Sequence, residues 1–146
     1  GHVALYRAAL HDETNTLPEW LQETISSYVS ILNECPYSIA NHWANARHLI
    51  DDNERADAIE KALNDHKPED VFEGRELALL KYTEKLTTAP GKMVKSDVQA
   101  LKSTGFDDGQ ILEVNQIIGY FNYVNRCLNG LGVTTDGDTV GYYVVT

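Results

Sequence analysis

Asn33-Glu34-Cys35-Pro36-Tyr37-Ser38-Ile39-Ala40-Asn41-His42 is the stretch on which the reading of this chain turns. Proline just after a polar corner fits the first helical position, where its missing amide hydrogen costs nothing. Cys35 then falls at the N-cap, with Ser38 and His42 three and seven residues further on. At helical spacing, thiol, hydroxyl and imidazole share one face. A thiol at a helix N-terminus feels the partial positive charge of unpaired backbone amides, which favours the thiolate, whereas Glu34 beside it opposes that effect.

Upstream, Leu17-Pro18 opens a segment to about Glu34 in which Leu21, Ile25, Tyr28, Val29 and Leu32 recur on one face, the pattern of an amphipathic helix. The other face carries Glu23, Ser26, Ser27 and Ser30. Read plainly, that face meets solvent. Small serines, however, also allow a second helix to approach closely, and a buried Glu23 would then need a partner.

Those residues carry a resemblance. The sequence resembles the alkylhydroperoxidase D-like (AhpD-like) family of the carboxymuconolactone decarboxylase superfamily, in its peroxidase-related branch. The family signature is a glutamate followed twelve residues later by Cys-x-x-Cys-x-x-x-His. Glu23, Cys35 and His42 match it, and Ser38 stands where the second cysteine belongs. Phe106 to Val133, with Gly119-Tyr120-Phe121-Asn122-Tyr123-Val124-Asn125-Arg126 and Gly130-Leu131-Gly132-Val133, resembles the closing helix of that branch. The resemblance implies an all-α domain of about six helices with Glu23 buried near His42 in a proton relay. It further implies a homo-oligomer, a trimer or hexamer, and additional residues ahead of the segment matching His2.

The rest of the chain agrees with an all-helical reading over 1–146 as one domain. Tyr37 to about Ile50 continues the site helix, and Asp51-Asp52-Asn53 breaks it and caps a helix from Glu54 to Asn64. Lys67-Pro68-Glu69-Asp70 is a turn, Gly74 to Thr88 a helix, and Ala89-Pro90-Gly91-Lys92 a loop. A short helix capped by Ser96 stops at Gly105, and Asp107-Asp108 opens the longest helix, to roughly Leu128. Its apolar residues lie nearly all round, which predicts a place at the centre of the fold or in a subunit interface. Asn115, Asn122, Asn125 and Asn129 share one narrow face and predict a hydrogen-bonded seam between helices or subunits. Thr139 to Thr146 is aromatic and β-branched, the composition of an extended arm.

Composition narrows the function. The chain has 146 residues, 22 acidic against 12 basic, and a net charge of −10, which repels nucleic acid and anionic membrane surfaces. Two distant cysteines, Cys35 and Cys127, do not form the framework of a small secreted protein, and a reducing, cytoplasmic setting is expected. No apolar run reaches membrane-spanning length. His11, His48 and His66 stand at no metal-ligand spacing, so no metal is expected, and no glycine-rich phosphate loop or dinucleotide fingerprint appears, so no organic cofactor is expected either.

Ser38 decides the chemistry. It cannot close a disulfide with Cys35, so the leading reading is a thiol-dependent peroxidase with Cys35 as nucleophile, His42 as proton acceptor and Glu23 orienting it. Its substrate is a hydroperoxide, and its sulfenic acid is resolved by Cys127, a partner thiol or a small thiol. In a second reading, His42 and Glu23 transfer protons on a small organic acid, as in a non-redox lyase or isomerase. In a third the site is vestigial in an oligomeric scaffold, and the serine itself can be an incidental change. A hydrolase built on Ser38, His42 and Glu23 lacks the sequence of a nucleophile elbow. Taken singly, each residue has a plainer role: Cys35 and Cys127 as packed small hydrophobes, His42 beside Trp43, Ser38 bonded to its own helix.

Overall fold

The structure, a computed structural model, describes residues 1–143. It consists of α1 (His2–Leu10), α2 (Glu19–Leu32), α3 (Pro36–Ile50), α4 (Asn53–Asn64), α5 (Gly74–Thr88), α6 (Lys95–Ser103) and α7 (Asp108–Leu131), with no strand among the described residues. The expected all-α class holds, with one helix more than the six or so predicted. The addition is α1, a short amino-terminal helix that buries Ala9 and Leu10 and packs on α7.

The central helix is α2 rather than α7. It forms a helical hairpin with α3 and packs against α5 and α7 as well. Ile25, Tyr28 and Val29 are fully buried, and so are Ser26, Ser27 and Ser30 on the opposite face. A polar face tolerates this because each hydroxyl donates back one turn: Ser26 to the Gln22 carbonyl, Ser27 to that of Glu23 and Ser30 to that of Ser26. None of these three hydroxyls is stranded, and the small side chains let neighbouring helices come close. α7 also buries a broad face, including Val114, Ile117, Ile118 and Phe121, but leaves Leu112, Tyr123 and Leu131 exposed.

The asparagine stripe of α7 is an inter-helix seam. Asn115 donates to the Tyr82 hydroxyl and Asn122 to Thr87 Oγ1, both on α5. Asn125 donates to Ser30 Oγ on α2, and Asn129 to the carbonyls of Asn33 and Glu34 at the α2–α3 corner. Glu113, also on α7, accepts the backbone N–H groups of Thr16 and Leu17 and so fixes the entry into α2.

Helix boundaries follow local chemistry. Pro36 occupies the first turn of α3, and the Asp52 and Asp107 carboxylates accept N–H groups of Arg55 and Gln110 at the starts of α4 and α7. Asp107→Ala should therefore cost about 1 kcal/mol, read as a lower urea midpoint at unchanged slope. The start of α6 corrects an expectation. Ser96 is not its cap; the Asp97 carboxylate accepts the Val94 N–H, because Asp97 stands three residues past the cap and reaches back. α7 runs three residues beyond Leu128, ending where Gly132 takes a left-handed φ of 64°.

Candidate functional site

The site forms where α2 and α3 face each other, with α7 behind and α1 in front. Glu23 is 2% exposed, and its carboxylate is met from α3 by two donors. His42 Nδ1 lies 2.7 Å from Oε2, and Asn45 Nδ2 donates to Oε1 at 3.2 Å. The plain reading of a solvent-facing Glu23 therefore fails, and the buried carboxylate has its partners. The edge of His42 meets Phe121 with ring centroids 4.5 Å apart at 84°, which fixes the imidazole plane. With Nδ1 engaged by Glu23, Nε2 is the ring nitrogen left for the adjoining cavity.

That cavity measures about 330 Å³ and is lined by Tyr6, Tyr37, Ser38, Asn41, His42, Tyr120 and Tyr142 among others. Among the described residues no lysine or arginine lines it. Two of its phenols are held well above their usual range: burial, then the nearby Glu23 charge, pushes Tyr6 up, and burial pushes Tyr120 up to about 12. The Tyr6 and Tyr120 hydroxyls are neutral groups on a wall that also carries Val124, Leu128, Ser38 and Asn41.

The four residues of the sequence motif are not equivalent. His42 and Ser38 line the cavity, and Glu23 supports His42 from behind. Ser38, 2% exposed, shares a 2.8 Å hydrogen bond with Ser30 Oγ, which also receives Asn125 Nδ2. Cys35 does cap α3, but it is fully buried and does not line the cavity. Two effects on its thiol compete. The Ser38 backbone N–H favours the thiolate as the sequence suggested, but burial outweighs it and moves the thiol above its ordinary range. Seven residues of helix rise place Cys35 about 10 Å along the axis from His42, with Ser38 between them.

A pH dependence follows with a definite sign. Because the reactive form is the thiolate and its pKa is raised, alkylation of Cys35 by iodoacetamide should be slow at neutral pH. The rate should climb about tenfold per pH unit past the ordinary thiol range. A rate already level at pH 8 would contradict a thiol governed by burial.

Sequence reasoning missed Asn45, Tyr6 and Tyr120. Asn45 carried a signal, since it follows His42 by one helical turn and so meets the same carboxylate. Tyr6 had none, because α1 was not expected. Cys127 is half-buried on α7, and both cysteines are free thiols. Among the described residues no cluster of His, Cys, Asp or Glu has the makings of a metal site, and no helix is long and apolar enough to cross a membrane.

Neither a family model nor a curated protein sequence matches the chain. Solved structures do. An uncharacterized peroxidase-related protein from Silicibacter sp. TM1040 superposes with a TM-score of 0.80 at 26% identity, over 91% of this chain and 67% of that one. A peroxidase-related protein from Ralstonia eutropha JMP134, described as an alkylhydroperoxidase AhpD core, gives 0.76 at 26% identity, over 88% of this chain and 65% of that one. A debrominase in complex with 2,3,4-tribromopyrrole gives 0.75 at 16% identity, over 91% and 67%, a likeness of fold alone. The class is thus the AhpD-like all-α fold. Within it the two peroxidase-related proteins are similar to the chain at 26% identity, and the chain spans about two thirds of their length.

Proposed function

We propose that the chain is a thiol-dependent, peroxidase-related oxidoreductase that reduces a hydroperoxide at the Glu23–His42 site. The observation that carries the reading is the 2.7 Å Glu23–His42 bond beside a cavity, on the helix that Cys35 opens, in a fold shared with peroxidase-related proteins. In this reading the start of α3 opens to admit the peroxide to Cys35, and the thiol passes its proton to His42 by way of Ser38, which lies between them. The thiolate then attacks: an S–O bond forms, the O–O bond breaks, and the leaving alkoxide takes that proton back from His42. The products are the alcohol and Cys35 sulfenic acid. Two equivalents of an external thiol, small or on a partner protein, return the cysteine with release of water and a disulfide. Glu23 holds His42 in the tautomer that presents Nε2 to the cavity.

Intact mass after brief hydroperoxide exposure with a sulfenic-acid trap tests this directly. One adduct in the native sequence and none in Cys35→Ala supports the reading; an unmodified Cys35 overturns it.

A second reading is favoured by one observation, that Ser38 and not Cys35 meets the cavity. Glu23 and His42 would then shuttle a proton on a small organic substrate without redox chemistry, as a lyase or isomerase does. Cys35→Ala retaining turnover while Glu23→Gln loses it would select this alternative. We also infer a homo-oligomer in a reducing, cytoplasmic setting. Exposed Leu112, Tyr123 and Leu131 along α7 support the assembly, and sedimentation velocity reads it.

A further inference from the structure

The end of the described chain returns to the site. The Asn41 side-chain oxygen accepts the Gly141 N–H at 3.1 Å, and one turn along α3 the Asn45 oxygen accepts the N–H of Tyr142 at 2.6 Å and that of Tyr143 at 3.4 Å. Asn41 and Asn45 thus form a two-rung ladder for the tail. The second rung differs from the first in what its other end does. Asn41 Nδ2 turns inward to the Tyr37 carbonyl, whereas Asn45 Nδ2 donates to Glu23 Oε1, the oxygen that His42 does not use.

An amide has one accepting end and one donating end, so its two contacts are not independent. While the tail N–H groups occupy Oδ1, Nδ2 must face Glu23. A flipped amide would set its oxygen against the carboxylate and its NH2 group against the tail N–H groups, leaving two repulsive contacts in a site where Asn45 is 2% exposed. With the tail undocked, the amide loses the contact that selects its orientation. Glu23 then loses a dependable donor, and the carboxylate that holds His42 Nδ1 is held less firmly itself.

We propose that Asn45 is a positioning residue through which the docked 141–143 segment fixes the Glu23 carboxylate and hence the His42 ring. The tail does more than close a wall of the cavity with Tyr142: it sets an amide that acts on the proton-handling pair. The inference rests on Glu23 and His42 being the working pair, but its readout is the His42 ring proton and does not depend on which reaction they perform.

The test is nuclear magnetic resonance of the whole chain, following exchange of the His42 Nδ1–H proton with water. Tyr142→Pro removes the nearer of the two backbone N–H groups that Asn45 accepts, leaving only the 3.4 Å contact from Tyr143, while Tyr142→Ala removes the ring and keeps the N–H. Asn45→Asp keeps oxygens for the tail but cannot donate to an ionised Glu23. Exchange should accelerate about tenfold in Tyr142→Pro and in Asn45→Asp, the loss expected for one hydrogen bond, and stay near the native rate in Tyr142→Ala. Native exchange in Asn45→Asp would overturn the positioning role. Acceleration in Asn45→Asp with native exchange in Tyr142→Pro would overturn the coupling to the tail. Equal acceleration in Tyr142→Ala and Tyr142→Pro would assign the effect to the ring and overturn it as well. A failed peroxide assay with the ring proton responding as expected overturns the proposed reaction and leaves the coupling standing.

Discussion

Ser38→Cys is expected to raise peroxide turnover with a dithiol reductant by roughly a hundredfold or more and to yield an intramolecular disulfide between Cys35 and the introduced thiol, visible as a loss of about 2 Da by intact mass. Two features of the site combine in that expectation. Position 38 lines the cavity one helical turn before His42, so a thiol there meets peroxide and base together, which the sealed Cys35 does not. Cys35 would then lie three residues away at the helix start, within the Cα separation a disulfide needs. Capture of the sulfenic acid becomes intramolecular instead of waiting on an external thiol. The substitution also gives up the hydrogen bond to Ser30, a cost of about 1 kcal/mol in stability that a urea titration would register. No gain in turnover would mean that the cavity does not admit peroxide, and would move the assignment to non-redox proton transfer.

Glu23→Gln should lower kcat by roughly 10²–10⁴-fold while leaving the fold intact, whichever reaction the site performs. The carboxamide is nearly isosteric with the carboxylate, but Asn45 decides how it sits. Asn45 Nδ2 demands an acceptor, so the glutamine oxygen turns to Asn45 and its NH2 group turns to His42 Nδ1. His42 must then accept at Nδ1 and carry its proton on Nε2, and the cavity faces a donor where the native protein presents a lone pair. Ring-nitrogen chemical shifts would show the exchanged tautomer. A variant with native turnover would remove Glu23 from the mechanism.

Much of this arrangement is legible in the sequence, and the reasons are local. Pro36, Asp52, Asp107 and Gly105 act on their immediate neighbours through φ restriction, capping or left-handed backbone, so helix limits can be read nearly to the residue. The asparagine stripe is visible as a periodicity, and only its partners on α2 and α5 need the structure. The burial of Glu23 is open on residues alone, because serine types do not reveal whether their hydroxyls go to water or to the preceding turn. The thiol of Cys35 misleads for a similar reason: its helix-end position is written in the chain, but the burial that outweighs it is supplied by distant packing. The bond between Asn45 and the tail spans 97 residues and leaves no local mark. Part of the arm predicted over Thr139 to Thr146 is the docked 141–143 segment; residues 144–146 lie outside the described residues.

The burial of α2 on every side has a kinetic meaning. Amides of Ile25 to Ser30 sit behind three other helices and should exchange with solvent only when the whole molecule opens, whereas α1 and the 141–143 segment hold the cavity from its periphery. Glu23 thus belongs to the last part of the molecule to come apart, and Tyr6 and Tyr142 to the first. The α1 side of the rim can therefore open many times while the carboxylate that governs His42 keeps its register, whereas opening on the 141–143 side also frees Asn45, so that the two sides of the mouth carry different consequences for the acid–base pair.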